Sequence, residues 1–215
     1  MLLINGASGF IGQALLKDLD HRNIKYKTFG RRIVDTYDNE TMIQNASKIL
    51  FLSSPSDSND FKNKEKTSTS MIDDYVYNLN YIKNTNPDAE IIFGSSVGAN
   101  PITFKEMEEF LENDYAIFKL AMEKYIKANF KNFKIIRIPR VYGKDRRKGL
   151  MKLIKETPLE NLNIGTPITF MDIDDFIPKL IKAITKKSDN YKNITHFVSK
   201  LKTMNVKEIK KYYNL

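Results

Sequence analysis

Apolar positions along this chain follow two alternating rhythms. Met1 to Asn5 is a short apolar run, and after a glycine turn Ile11, Leu15, Leu16 and Leu19 recur at helical spacing, so the chain opens as strand, turn and helix. Ile24 to Phe29 predicts a half-buried strand, Arg31 to Asp35 a short further one, and Thr41 to Asn45 a brief helix. Lys48 to Leu52 is the next strand, stopped by Pro55. Residues 55–69 hold almost nothing to bury and form the longest expected loop, either a lid or a solvated insertion. Ser70 and Asp73 have capping-box spacing ahead of the helical stripe Met71, Tyr75, Leu79 and Ile82. Asn86-Pro87-Asp88 turns the chain into the strand Glu90 to Phe93, which runs into Gly94-Ser95-Ser96. A long helix is expected from Asp114 to Asn129 with Ile117, Leu120, Ala121, Lys124 and Tyr125 on its buried side, and Phe133 to Ile138 is another strand. The last third predicts helices at 147–156, 175–185 and 206–213, with strands near 168–170 and 195–198. Asp174 or Asp175 would cap the second of these helices, leaving Pro178 in its first turn where a missing N–H is harmless. Strands alternate with helices without internal repeat or linker, which predicts an α/β architecture with a mostly parallel sheet covered on both faces.

Composition narrows the chemistry. The 215 residues suit one domain, and a hydrophobic fraction of 41% excludes overall disorder. Lysine and arginine number 35 against 26 acidic residues, a net charge of +9 that allows an anionic partner without identifying one. The absence of cysteine excludes disulfides, cysteine nucleophiles and thiolate metal sites, and two histidines exclude a histidine-rich metal centre, so no metal is expected. A reducing, cytoplasmic location is the matching expectation. No apolar run is long enough to span a bilayer, and the first residues read as a strand and not a signal peptide, so a soluble protein is expected.

Candidate chemistry starts at the glycine turn. A dinucleotide pyrophosphate at the end of a parallel strand needs a tight turn, close backbone approach and N–H groups at a helix start. Gly6 ends the strand, Gly9 admits a phosphate and Gly12 lets the helix lie close, so Gly6, Ser8, Gly9, Phe10, Ile11 and Gly12 form the expected phosphate-binding segment. A purely structural turn is the competing reading, and the position after the first strand favours the nucleotide. NAD would call for a carboxylate at the end of the second strand, where this chain has Phe29-Gly30-Arg31-Arg32. Arg31 and Arg32 suit the extra 2′-phosphate of NADP, which is therefore the expected cofactor with NAD as the alternative; a solvated arginine pair is the plainer explanation.

Tyr115 and Lys119 stand one helical turn apart. Hydride transfer to a ketone needs a proton donor for the developing alkoxide, and a phenol beside an ammonium can fill that role in either direction. Ser95 or Ser96, at a strand end, could donate to the carbonyl oxygen where charge grows. Tyr75, Tyr77, Tyr81 and Tyr125 read as packing or surface residues.

Five segments in order now resemble one family: 6–12, 93–96, Tyr115-Ala116-Ile117-Phe118-Lys119-Leu120-Ala121-Met122-Glu123, Arg137-Ile138-Pro139-Arg140-Val141-Tyr142-Gly143, and Phe170-Met171-Asp172-Ile173-Asp174-Asp175. The chain resembles an extended short-chain dehydrogenase/reductase of the NAD-dependent epimerase/dehydratase family, whose substrates are often nucleotide sugars. The resemblance implies a Rossmann-type doubly wound parallel sheet with a small, abbreviated C-terminal substrate lobe. It implies one domain over 1–215, with the cofactor core mainly 1–140 and the lobe mainly 141–175 and 186–215. It also implies catalytic Ser95, Tyr115 and Lys119, with Ser96 as a register alternative in contact with substrate, and Ser53 and Lys119 against the cofactor. The chain departs from the family in its short lobe, in the acidic interval between Ser95 and Tyr115, and in Ser53-Ser54-Pro55 where small alanines are common.

Arg140, Lys144, Arg146 and Arg147 follow the fourth of these segments and suit a diphosphate clamp, or else a solvated loop. Nucleic-acid binding is disfavoured, because basic residues alternate with acids elsewhere and no reader motif occurs. The expected activity is reduction of a nucleotide-linked keto sugar. The alternatives are a 4-epimerase or 4,6-dehydratase that retains NAD, and a noncatalytic NAD(P)-binding regulator. Family members often pair through two helices, which makes 71–84 and 114–129 candidates for a homodimer contact with Tyr77, Tyr81, Phe118 and Tyr125 outside the monomer core; packing of the same helices within one chain is the equal alternative.

Overall fold

The computed structural model describes residues 1–30, 37–53, 68–99, 113–162, 165, 167–186, 193–197 and 199–215. The first half alternates β1 (Leu2–Asn5), α1 (Phe10–His21), β2 (Tyr26–Phe29), α2 (Tyr37–Gln44), β3 (Lys48–Phe51), α3 (Ser68–Thr85) and β4 (Glu90–Ser96). After a short 3-10 turn over 97–99 come α4 (Asp114–Asn129), β5 (Phe133–Ile138), β6 (Val141–Tyr142) and α5 (Gly149–Glu156). The chain ends with β7 (Ile168–Asp172), α6 (Ile173–Thr185), β8 (Ile194–His196), β9 (Lys202–Met204) and α7 (Val206–Tyr212). Six strands form one parallel sheet in the order β2-β1-β3-β4-β5-β8.

Side-chain alternation along these strands builds a core on each face of the sheet. Leu3, Ile49, Phe51, Ile91, Phe93 and Ile135 face α2, α3 and α4, whose Ile43, Tyr75, Leu79, Ile82, Phe118 and Met122 close that layer. Leu2, Ile4, Leu50, Ile92 and Ile136 face the other way, against Leu15 and Leu19 of α1 and Phe176, Leu180 and Ile184 of α6. Helices on both sides of a parallel sheet make the fold the doubly wound type that the alternation predicts. A smaller sheet, β6-β7-β9, has its own core with α5 and α7 around Tyr142, Met151, Ile154, Phe170, Val206 and Ile209. Tyr213 donates its hydroxyl to Asp172 Oδ2 at 2.8 Å and ties the chain end to this lobe. No helix among the described residues is long and apolar enough to cross a membrane.

Several expectations need correction. Helix α3 begins at Ser68, which places Ser70 in its first turn and not at its cap. Asp172 caps α6, accepting from the Asp174 N–H at 2.9 Å, so Pro178 falls inside the helix instead of in its first turn. Strands β6 and β9 are too short to show a period and were not predicted. The largest change concerns α4: its buried residues are Ala116, Phe118, Lys119, Met122, Glu123 and Ile126, a face rotated away from the expected Ile117, Leu120, Ala121, Lys124 and Tyr125. Two charged residues lie on that inner face because the strand ends supply polar partners, which apolar periodicity does not register. Phe118 is accordingly core, 5.1 Å from the Tyr75 ring, and not an outer contact. Tyr77 is exposed, while Tyr81 and Tyr125 are half-buried against the core. The possible third strand at 31–35 and nearly all of the loop expected at 55–69 lie outside the described residues.

Phe118→Ala should therefore cost about 3–5 kcal/mol of unfolding free energy in urea denaturation, and Tyr77→Ala less than about 1 kcal/mol. Equal effects would contradict the assignment of Phe118 to the core.

Candidate active site

The sheet reverses its order between β1 and β3: β2 lies on one side of β1, while β3 and all later strands of that sheet lie on the other. A crevice opens at the carboxyl ends of strands at such a point. Gly6 leaves β1 with φ of +86°, and a Cβ there would lie 2.3 Å from the Ser53 backbone nitrogen. Gly12, in the first turn of α1, would place a Cβ 2.2 Å from the Gly6 carbonyl oxygen. Both contacts are backbone on backbone, so the turn closes only without side chains at these two positions. The Gly9 N–H donates to the Gly6 carbonyl at 3.1 Å, and Gly9 caps α1, whose first turn carries no acidic residue. The positive end of a helix thus faces a cleft lined by Gly6, Ser8, Gly9, Phe10, Ile11 and Gly12, an arrangement that fits a dinucleotide pyrophosphate.

The floor of the crevice is pinned by buried Asn5. Its Nδ2 donates to the Gly30 carbonyl at 2.6 Å, and its Oδ1 accepts from the Ser53 hydroxyl. Ser53 Oγ also lies 2.9 Å from the Tyr75 hydroxyl. Ser53 therefore adjoins the turn through its backbone, with its side chain engaged by Asn5 and Tyr75. Arg31 and Arg32, which follow Gly30, lie outside the described residues.

The opposite wall comes from β4 and α4. Asn113 caps α4 through a 3.2 Å bond from the Ala116 N–H, which sets Tyr115 at the first turn and Lys119 one turn on. Both line the cleft together with Ser95 and Ser96. Lys119 is 2% exposed; its ammonium donates to the Gly94 carbonyl at 2.5 Å and lies 5.6 Å from the Tyr115 ring centroid and 4.7 Å from that of Phe93. Burial pushes this ammonium down to about 7, while the Glu123 carboxylate acts in the opposite direction. The two serines divide their duties. Ser95 is buried and donates to Glu123 Oε1 at 2.6 Å, whereas Ser96 is partly exposed and accepts from the Gly98 N–H at 3.2 Å.

A basic stretch closes the cleft on the side of the small lobe. Arg146 donates to the Val141 carbonyl at 2.6 Å, and its guanidinium sits 5.6 Å from the Phe10 ring and 5.8 Å from the Tyr142 ring, so it joins the lobe to the glycine turn. Arg140, Arg147 and Lys148 also line the cleft, whereas Lys144 is exposed and does not. Sequence reasoning gave no site role to Asn5, Asn113, Glu123 or Arg137. Glu123 alone carried a local signal, since it repeats the four-residue step from Tyr115 to Lys119.

Fold and site together define a doubly wound α/β protein with a tight glycine turn at its switch point and a phenol–ammonium pair across the crevice. The model of the NAD dependent epimerase/dehydratase family matches residues 2–195, and the chain belongs to that family, a class of nicotinamide-dependent enzymes. No curated protein sequence matches it. Among solved structures it is similar to UDP-glucose 4-epimerase of Thermus thermophilus in complex with NAD, with TM-score 0.69 and 13% identity over 99% of this chain and 81% of that one. It is similar to UDP-glucose 4-epimerase of Thermotoga maritima with UDP-glucose, with TM-score 0.69 and 14% identity over 99% and 82%. It also resembles the capsular polysaccharide assembling protein CapF of Staphylococcus aureus, with TM-score 0.62 and 16% identity, where it covers 99% of its own length and 57% of that chain. At such identities the likeness is one of fold.

The depressed Lys119 has a stability signature. Between about 7 and its ordinary value near 10.5 the unfolded chain holds a proton that the folded chain releases, so this residue's contribution rises with pH across that window and is lost as pH falls through 7. Lys119→Met should thus raise unfolding free energy at pH 6 by about 1–3 kcal/mol, even with the Gly94 carbonyl left without this donor. The gain should shrink toward pH 10. A loss of stability at pH 6, measured by urea denaturation, would contradict the assignment.

Proposed function

We propose that the protein transfers hydride between a nicotinamide dinucleotide in this cleft and a carbon of a nucleotide-linked sugar, and that its net reaction reduces a sugar keto group. The observation that carries this reading is that the Tyr115–Lys119 pair lines the same cleft as Ser95, Ser96 and the glycine turn. A bound nicotinamide supplies the hydride. As the carbonyl oxygen gains negative charge, Ser96 is the hydroxyl placed to donate a hydrogen bond to it, because the proton of Ser95 is committed to Glu123. Tyr115 gives that oxygen its proton, and the Lys119 ammonium beside its ring favours the phenolate left behind. Lys119 is also the donor for a cofactor ribose hydroxyl, exchanging its bond to Gly94 for that contact.

The charge distribution supports an anionic sugar carrier. Residues 1–139 hold 18 basic and 18 acidic side chains, while 140–215 hold 17 basic and 8 acidic, so the net charge of +9 belongs wholly to the C-terminal third. That third presents Arg140, Arg146 and Arg147 to the cleft, where they suit the two phosphates of a nucleoside diphosphate. Arg31 and Arg32 follow the Gly30 carbonyl that Asn5 holds, which supports NADPH as the exchangeable donor. The second reading is a 4-epimerase retaining NAD, favoured by the two structural neighbours that carry that name. A dehydratase is less favoured: it needs additional acid/base groups near the tyrosine, and the described acids lining the cleft, Asp18, Asp145 and Asp174, come from other elements. The outer faces of α3 and α4, where Tyr77 is exposed, are the surface of the proposed homodimer.

Tyr115→Phe should lower turnover by about a hundredfold or more with little change in dinucleotide affinity, and Ser96→Ala should lower it more than Ser95→Ala does at matched folded fraction. Undiminished turnover in Tyr115→Phe would end the proton-donor assignment.

Native mass spectrometry with analysis of released cofactor separates the two readings. A protein purified empty, which then binds NADPH about tenfold or more tightly than NADH and loses that preference in Arg31→Ala or Arg32→Ala, supports the reductase. Stoichiometric, retained NAD would transfer the proposal to the epimerase.

A further inference from the structure

Glu123 has the lowest exposure of the described carboxylates, and no step above uses it. It sits one turn beyond Lys119 on α4 and gathers donors from two strands. Ser95 Oγ on β4 donates at 2.6 Å, and Arg137 on β5 donates through Nε at 2.9 Å and Nη2 at 2.8 Å. Lys127 Nζ lies 3.5 Å away on the outer side. Burial alone would raise this carboxyl, but the bonds from Arg137 and Ser95 outweigh that effect and hold it below the usual carboxylate range. A buried ion pair of this kind adds little net stability, because desolvating both ions offsets their attraction; what it can do is fix register.

Register is what the site requires. Successive turns of α4 meet the strand end in sequence: Tyr115 at the cleft, Lys119 on the Gly94 carbonyl, and Glu123 on Ser95 and Arg137. Successive strand residues point to opposite faces, so of the two serines at the cleft Ser95 is turned inward onto Glu123 and Ser96 is the more exposed. We propose that Glu123 is the positioning residue of the Tyr115–Lys119 row, seating α4 on the ends of β4 and β5 and setting a carboxylate beside an ammonium that burial has stripped of water. The inference rests on the reading of Tyr115 and Lys119 as the acting pair.

The surroundings of Lys119 single out this carboxylate. On α4 it faces Tyr115, Phe118 and Glu123; on β4 it faces the Phe93 ring and the Gly94 carbonyl. Arg137 of β5 and Lys127 of α4 stand behind Glu123, and Tyr75 of α3 packs against Phe93 and Phe118. Glu123 is the group that opposes the effect of burial on Lys119. Without it the ammonium gives up its proton at lower pH, and a neutral amine no longer favours phenolate on Tyr115.

The test compares Glu123→Gln and Glu123→Asp in the full chain by thermal unfolding, by turnover, and by NMR titration of the Lys119 ε-carbon in 13C-lysine-labelled protein, assigned with Lys119→Arg. Glu123→Gln should move the Lys119 midpoint to lower pH and reduce turnover at pH 8 by about tenfold. Glu123→Asp should bring the midpoint back toward that of the wild type. An unchanged Lys119 midpoint in folded Glu123→Gln overturns the proposal and leaves Glu123 a purely structural group. If that variant does not fold, Glu123→Gln/Arg137→Gln, which removes the buried guanidinium together with the carboxylate it pairs with, carries the same readout. Failure of the hydride-transfer reading would look different: the wild type would show neither dinucleotide binding nor turnover, while the Lys119 midpoint would still report on Glu123.

Discussion

Two close backbone contacts at the sheet's reversal point govern the rest of this molecule. The Gly6 Cα lies so near the start of the segment after β3, and Gly12 so near the Gly6 carbonyl, that neither position has room for one more carbon. This closeness draws the N-terminus of α1 over the carboxyl ends of β1 and β3, where the helix dipole and the N–H groups of its first turn suit an anion. Asn5 stabilises the same junction from below by bonding across to Gly30 and Ser53, so the ends of β1, β2 and β3 are held at one level. The cleft is a consequence of how the strands are ordered and how tightly this turn is closed.

The second wall depends on polar contacts placed in the core. Helix α4 is held to the sheet by apolar residues on one part of its face, Phe118, Met122 and Ile126, and by Lys119 and Glu123 on the other. An ammonium and a carboxylate are costly to bury, and each is accommodated only because a strand end offers a partner. That cost gives precision: Tyr115, Lys119 and the serines are located by bonds of defined direction and not by side-chain volume alone. The C-terminal third contributes sign where the sheet contributes position, since residues 140–215 carry the chain's entire net positive charge and Arg146 reaches the glycine turn.

How much of this was legible in the sequence depends on the range of each interaction. The glycine turn is local, and the identity and spacing of Gly6, Gly9 and Gly12 were enough to place it. The parallel α/β order followed from alternating periods, and Tyr115 and Lys119 were found because a helix turn brings them together. The buried face of α4 was misjudged because its decisive contacts, Lys119 with Gly94 and Glu123 with Ser95 and Arg137, span 25, 28 and 14 residues. The different settings of Ser95 and Ser96 have the same origin, since the phase of a strand's alternation is set by what packs on it. Pro178 was misplaced because Asp172, and not Asp174 or Asp175, starts the helix, and nothing local distinguishes three nearby aspartates. Two strands of two and three residues, β6 and β9, carry too little pattern to be read at all.

In the proposed function one cleft binds a nicotinamide dinucleotide with its pyrophosphate at the start of α1 and its reactive ring beside Tyr115. A crystal structure of the protein with the dinucleotide decides whether it does. Phosphate oxygens are expected on the backbone N–H groups of residues 9–12, a ribose hydroxyl on Lys119, and the nicotinamide within reach of Tyr115 and Ser96. A dinucleotide bound elsewhere, or one seated in the cleft with its nicotinamide turned away from Tyr115, would contradict it.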